Sequence, residues 1–160
     1  MEIAKQTLGL AGEYAVASEL CKRGIYAQLT LGNRKSTDLL LDVEDGGMLR
    51  VQVKSKQGNE WPACKGVACG NPEVLVFVDF HKKADHQRPD FYILTGEDWK
   101  NVIDETGFLQ RGEGRMKGNH FEYGDGFKGL NVNPRMVQNY LEKWDKITAM
   151  LKLKFVAQSS

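Results

Sequence analysis

The chain has 160 residues, 41% of them hydrophobic, with 22 Lys and Arg against 21 Asp and Glu for a formal net charge of +1. That length accommodates one domain with a full core, which needs neither disulfide nor metal to hold it together. The near balance of charge excludes a strongly basic or acidic chain, so any contact with nucleic acid has to come from local placement of cations.

The longest apolar run, Val74 to Phe80, is broken by Asp79 and falls far short of the roughly 20 residues of a membrane span. The opening residues lack the basic, apolar and small-residue order of an export signal. Cys21, Cys64 and Cys69 are odd in number and irregular in spacing, which fits free thiols in a reducing compartment. The expectation is a cytoplasmic protein with no membrane segment.

In chain order, Ile3, Leu10, Tyr14, Ala17 and Cys21 recur at helical steps and Gly24 follows as a stop, which predicts an amphipathic helix over 3–23. Glu13 falls inside its apolar arc, whereas Glu19, Lys22 and Arg23 fall outside it as solvated charges. Residues 25–31 read as a strand ended by Gly32 and Asn33. A second strand over 37–43 leads through the turn residues Asp45, Gly46 and Gly47 into a third over 49–56. After a crossover, residues 73–80 are nearly continuous Val, Leu and Phe, the pattern of a strand buried on both faces.

Residues 91–94 make another short strand. Thr95 and Asp98 then carry the spacing of a helix start, ahead of Trp99, Val102 and Ile103, with Gly107 as the stop. The glycines between Gly107 and Gly129 exclude a long helix from 107–131 and leave turns, short strands or a loop. Asn133 and Pro134 open a C-terminal helix over 134–151, with Val137, Tyr140, Leu141, Trp144, Ile147 and Leu151 on its apolar face. The order predicts an α/β chain, a single domain over 1–160: a mixed β-sheet flanked by helices, with a core of about 3–106 and the remainder as additions.

Three positions stand out chemically. A carboxylate aimed at a core, as Glu13 is, needs a partner or a metal; the plain alternative is that it reaches water at the helix rim. Asp38 precedes Leu39, Leu40 and Leu41, at the end of a core strand, where it is either a site residue or an ordinary turn residue. In the third strand, period-two geometry places Arg50, Gln52, Lys54 and Lys56 on one face and Leu49, Val51, Val53 and Ser55 on the other. That polar face is either solvated, as on an edge strand, or a site converging with Asp38.

Gly12-Glu13 in an opening helix, Thr37-Asp38 at a strand start and Val51-Gln52-Val53-Lys54-Ser55 in the next strand together resemble the PD-(D/E)XK phosphodiesterase superfamily, which includes restriction endonucleases and archaeal Holliday junction resolvases. The motifs span residues 9–56, and the element order extends the likeness to about residue 94. The resemblance implies a restriction endonuclease-like fold with an αβββαβ core and a metal-dependent endonuclease acting on DNA. It assigns catalysis to Glu13, Asp38, Gln52 and Lys54. Mg²⁺, with Mn²⁺ as a substitute, would be held by Glu13, Asp38, the Gln52 amide oxygen and the Val53 carbonyl. Thr37 stands where the family usually has proline, and Gln52 where it usually has an acid. A neutral amide is the weaker ligand for a hard cation, which keeps open a nuclease-like fold that binds DNA or a protein partner without cutting. Cutting both strands calls for two sites and hence a homodimer.

Further cations suit nucleic-acid contact: Arg34, Lys35 and Lys56 near the site, and Arg111, Arg115 and Lys117 interleaved with Phe121 and Tyr123 in the Gly-rich region. The alternative for the second group is a solvated hairpin. Cys64, Cys69, His81 and His86 have nearly the spacing of a zinc finger, but a finger needs its histidines on a helix and His81 follows a strand. His120 is a loop residue within reach of a phosphate, and Trp61, Trp99 and Trp144 read as core.

Overall fold

A computed structural model describes residues 3–30, 37–42, 47–65, 67–69 and 73–158, with side chains to residue 152. Helix α1 (Lys5–Lys22) is followed by strands β1 (Ala27–Leu29), β2 (Leu39–Asp42), β3 (Met48–Lys56), β4 (Trp61–Cys64), β5 (Glu73–Asp79) and β6 (Asp90–Thr95). Then come α2 (Gly96–Glu105), β7 (Gly114–Lys117), β8 (His120–Tyr123), β9 (Leu130–Val132), a 3₁₀ helix (Pro134–Tyr140) and α3 (Asp145–Gln158). A five-stranded mixed sheet runs β1-β2-β3-β5-β6, with β3 and β5 parallel and the other neighbours antiparallel. Two small ribbons, β4 with β9 and β7 with β8, complete the strands.

Strand β5 is buried on both faces, and its alternation divides the core in two. Val74, Val76 and Val78 face the layer of Val16 and Leu20 from α1 and Ile147 from α3. Leu75 and Phe77 face Trp99, Val102 and Ile103 of α2, together with Trp61 of β4 and Leu130 of β9. The capping box at the start of α2 forms as the sequence predicts: Asp98 N–H donates to Thr95 Oγ1 at 3.1 Å, and Thr95 N–H donates to Asp98 Oδ2 at 2.8 Å. Asn133 likewise accepts from the Arg135 N–H at 3.0 Å to start the 3₁₀ helix.

Four details differ from the sequence reading. The buried face of α1 carries Gly12, Val16, Glu19 and Leu20, while Leu10 and Tyr14 are 47% and 57% exposed. Apolar periodicity chose the wrong arc because the helix is seated by its smallest residue. A Cβ on Gly12 would lie 1.8 Å from Ser55 Oγ, so only glycine lets α1 rest this close to β3. Glu19, expected in solvent, is buried and ion-paired to Arg23 at 2.8 Å, Arg88 at 2.9 Å and Lys22 at 3.0 Å. Arg88 comes from far along the chain, where helical periodicity does not look.

The predicted helix over 134–151 is two elements. Between them Glu142 adopts φ +56° and donates its N–H to Phe91 O at 2.8 Å, while Leu141 bridges to Tyr92. The outer edge of β6 captures this segment, since its backbone groups need partners. The αβββαβ order placed a helix in the crossover from β3 to β5. Among the described residues that connection carries β4 instead, and the helix follows β6. The Gly-rich region resolves into β7, β8 and β9, with Gly118 at φ +62° in the hairpin turn. No helix among the described residues is long and apolar enough to cross a membrane.

Candidate active site

The register of β2 on β3 pairs Leu39 with Val51, and one further step sets Asp38 opposite Gln52. There β2 ends while β3 runs on to Lys56, so residues 52–56 of β3 have no strand on that side among the described residues. Asp38 takes over the ladder with its side chain. Its N–H donates to Val51 O at 2.9 Å, and its Oδ2 accepts the Val53 N–H at 2.6 Å. In an extended strand the N–H and C=O of one residue point to the same side. The Val53 carbonyl therefore lies on the same open edge as Asp38.

Close seating of α1 on β3 at Gly12 brings the next residue, Glu13, to this edge. Its carboxyl holds its proton above the usual glutamate range, first because of burial and second because of the Asp38 charge. Burial also raises Asp38, opposed by the Val53 hydrogen bond and then by the positive charge of Lys54. Glu13, Asp38 and Lys54 thus share one electrostatic neighbourhood, and Gln52 beside them is buried. Lys54 also lines a groove of about 790 Å³ between the first turns of α1 and β4, to which Lys5, Ser55 and Trp61 contribute. The sequence reading passed over Lys5, whose only signal is its place at the start of α1.

Glu13 and Asp38 are two partly desolvated carboxyls that both hold their protons more tightly than usual. Among the described residues no group of three or more His, Cys, Asp or Glu side chains comes together. The available donors are two carboxylates, the Gln52 amide oxygen and the Val53 carbonyl, all oxygen and all hard, a set that fits magnesium.

The fold is similar to that of a homing endonuclease. The solved structure of the bacterial enzyme I-Ssp6803I matches with a TM-score of 0.56 and 20% sequence identity over 99% of each chain. No protein-family profile matches the chain. No curated protein matches its sequence significantly.

The remaining predicted contacts divide. Lys56, expected to face DNA, is 2% exposed, ion-paired to Asp79 at 2.6 Å and covered by the Trp61 ring at 4.7 Å. At Lys56 that face of β3 is covered, because Trp61 of β4 packs over it, whereas Arg50 on the same face is exposed. Arg34 and Lys35 lie outside the described residues. Arg111 and Arg115 are exposed but engaged by Glu113 and Glu122. Lys117 is exposed and has no ion pair among the described residues. Cys64 and Cys69 are buried in the core, and His81 Nδ1 is 2.9 Å from Gln57 O.

Proposed function

We propose that this chain is a metal-dependent phosphodiesterase of the PD-(D/E)XK type, an endonuclease acting on DNA. The observation that carries the reading is the Asp38 carboxyl locked by the Val53 N–H at the open end of β3, with the Lys54 charge acting on it and its own charge acting on Glu13. The similarity in fold to a homing endonuclease supports it. Glu13, Asp38, the Gln52 amide oxygen and the Val53 carbonyl would hold Mg²⁺, or Mn²⁺ in its place. Bound there, the ion would supply Lewis-acid stabilisation of the phosphoryl oxygens and lower the pKa of the attacking water.

The protein's own side chains account for the rest. Lys54 orients the water and offsets the charge that grows on the phosphate. Glu13, near Asp38, is placed to help organise or deprotonate that water. A homodimer would bring two such sites to a duplex.

The test is cleavage of linear, branched and single-stranded DNA with Mg²⁺ or Mn²⁺. Lys54→Ala and Asp38→Ala should each abolish cutting while leaving the cooperative unfolding transition intact. Cutting that survives both substitutions refutes the mechanism. Gln52→Glu should tighten Mg²⁺ binding in calorimetry; no change would remove Gln52 from the ligand set. Absence of cleavage on every substrate would favour the reading in which the fold binds DNA or protein without cutting it.

A further inference from the structure

Just before β2 the chain bends at Asp38, and the two backbone groups of that residue turn to opposite sides. Its N–H donates to Val51 O on β3 at 2.9 Å, whereas its carbonyl accepts from the Thr30 N–H, on the β1 side, at 3.0 Å. In a regular extended strand both groups would face the same neighbour. The carbonyl of the preceding residue, the buried Thr37, also points toward Thr30 and needs a donor of its own. The Thr30 side chain supplies it: the hydroxyl donates to Thr37 O at 2.7 Å, with Asp38 O at 3.3 Å. Thr30, the residue after β1, thus serves two successive carbonyls, one with its backbone and one with its side chain. No other part of a threonine could provide that second hydrogen bond.

The clamp bears directly on the carboxylate. The Asp38 N–H, carbonyl and Oδ2 are all engaged, the last by the Val53 N–H at 2.6 Å. Its Oδ1 accepts no hydrogen bond among the described residues. Once the backbone is pinned at the bend and Oδ2 is tied to Val53, both side-chain torsions are set and so is the direction of Oδ1. We infer that Thr30 is a positioning residue for the metal site: its hydroxyl holds the bend so that Asp38 offers the cation one oxygen, Oδ1, and keeps Oδ2 for the Val53 N–H. This rests on reading Asp38 as a ligand of Mg²⁺. Mg²⁺ demands near-ideal octahedral geometry, so a small turn of the Asp38 backbone would weaken its hold. The hydroxyl and not the methyl of Thr30 does this work. Serine should therefore replace it, and valine, which has the same shape, should not.

The test compares Thr30→Val with Thr30→Ser in the full chain; Thr30→Ala takes the place of the valine variant if that protein does not fold. The first readout is the Val53 amide resonance in NMR spectra recorded in EDTA, which reports the bond to Asp38 Oδ2 without metal or DNA. It should shift and exchange faster in the valine variant, and stay near its wild-type position in the serine variant. The second readout is Mg²⁺ affinity by calorimetry. Loss of a group that orients a metal ligand typically costs about 10–100-fold; the valine variant should show that loss and the serine variant should not. A Val53 resonance or an Mg²⁺ affinity unchanged by valine overturns the inference, as does a serine variant impaired as much as the valine one. Both expected changes in a protein that cuts no DNA would uphold the role of Thr30 and sink the nuclease reading. A wild type that binds no Mg²⁺ would sink both.

Discussion

Gly12 and Ser55 give the sharpest test of how the site is built. Replacing Gly12 by alanine adds a Cβ 1.8 Å from Ser55 Oγ, 3.1 Å from Ser55 Cβ and 3.5 Å from Val53 Cγ1. Overpacking of this kind costs about 1–3 kcal/mol, while alanine in a helix interior gains about 1 kcal/mol over glycine. Gly12→Ala should therefore destabilise the protein by up to about 2 kcal/mol. Ser55 Oγ is itself buried without a hydrogen-bond partner, so Ser55→Ala removes a desolvated hydroxyl and should be neutral or stabilising by about 1 kcal/mol. In the double variant the worst contact is gone and the helical gain remains, and stability should equal or exceed that of the wild type. Urea unfolding of the four proteins gives the coupling energy directly, expected at about 2 kcal/mol in favour of the pair. A Gly12→Ala protein more stable than wild type would mean that Ser55 rotates aside freely. The claim that glycine seats α1, and with it Glu13, would then be refuted.

Arg88, then Arg23 and Lys22, hold the Glu19 carboxyl far below its usual range against the opposing effect of burial. Its ionised form therefore stabilises the fold above the unfolded value of 4.5, and that contribution is lost as pH falls through the lower folded value. Glu19→Gln should cost about 2 kcal/mol at pH 7, less than for a fully buried pair because Arg88 is partly exposed, and the gap should narrow in acid; a gap independent of pH would contradict this. Asp38 has the opposite sign: its proton is held more tightly in the folded state, so stability falls as pH rises from the unfolded value of 3.8 through the raised folded one. Without metal, Asp38→Asn should thus be at least as stable as wild type at pH 7, with its advantage vanishing near pH 4, and Mg²⁺ should raise the melting temperature of the wild type alone; equal Mg²⁺ shifts in both proteins would count against Asp38 as a ligand. Iodoacetamide at pH 8 should label exposed Cys21 and spare buried Cys69 and Cys64, whose thiol burial pushes up to about 12. Mass spectrometry showing comparable native labelling of Cys64 would disprove its burial.

Local signals in the chain carried the element order a long way. The continuous Val, Leu and Phe of β5 announced a central strand, Thr95 and Asp98 announced the capped start of α2, and Asn133-Pro134 announced a helix start, though of a short 3₁₀ helix and not of one helix to residue 151. These are interactions between residues a few positions apart, which is why spacing alone reveals them. The hairpin register links Asp38 to β3 beside Gln52. The apolar arc that aimed Glu13 inward, with Leu10 and Cys21, is exposed instead, and Glu13 comes near Asp38 through the seating of α1 on β3.

Contacts between distant segments stayed hidden. Glu19 looked solvated until Arg88, 69 residues on, came to meet it. Lys56 looked like a DNA contact until Asp79 on the parallel strand β5 and Trp61 on β4 enclosed it. The seating of α1 was misread because hydrophobic periodicity weighs apolar area, whereas the closest approach of helix to sheet is set by the residue without a side chain. Residue types and spacing determine which elements form; which charged groups are buried, and which face of a helix is covered, depends on partners that only long-range packing supplies.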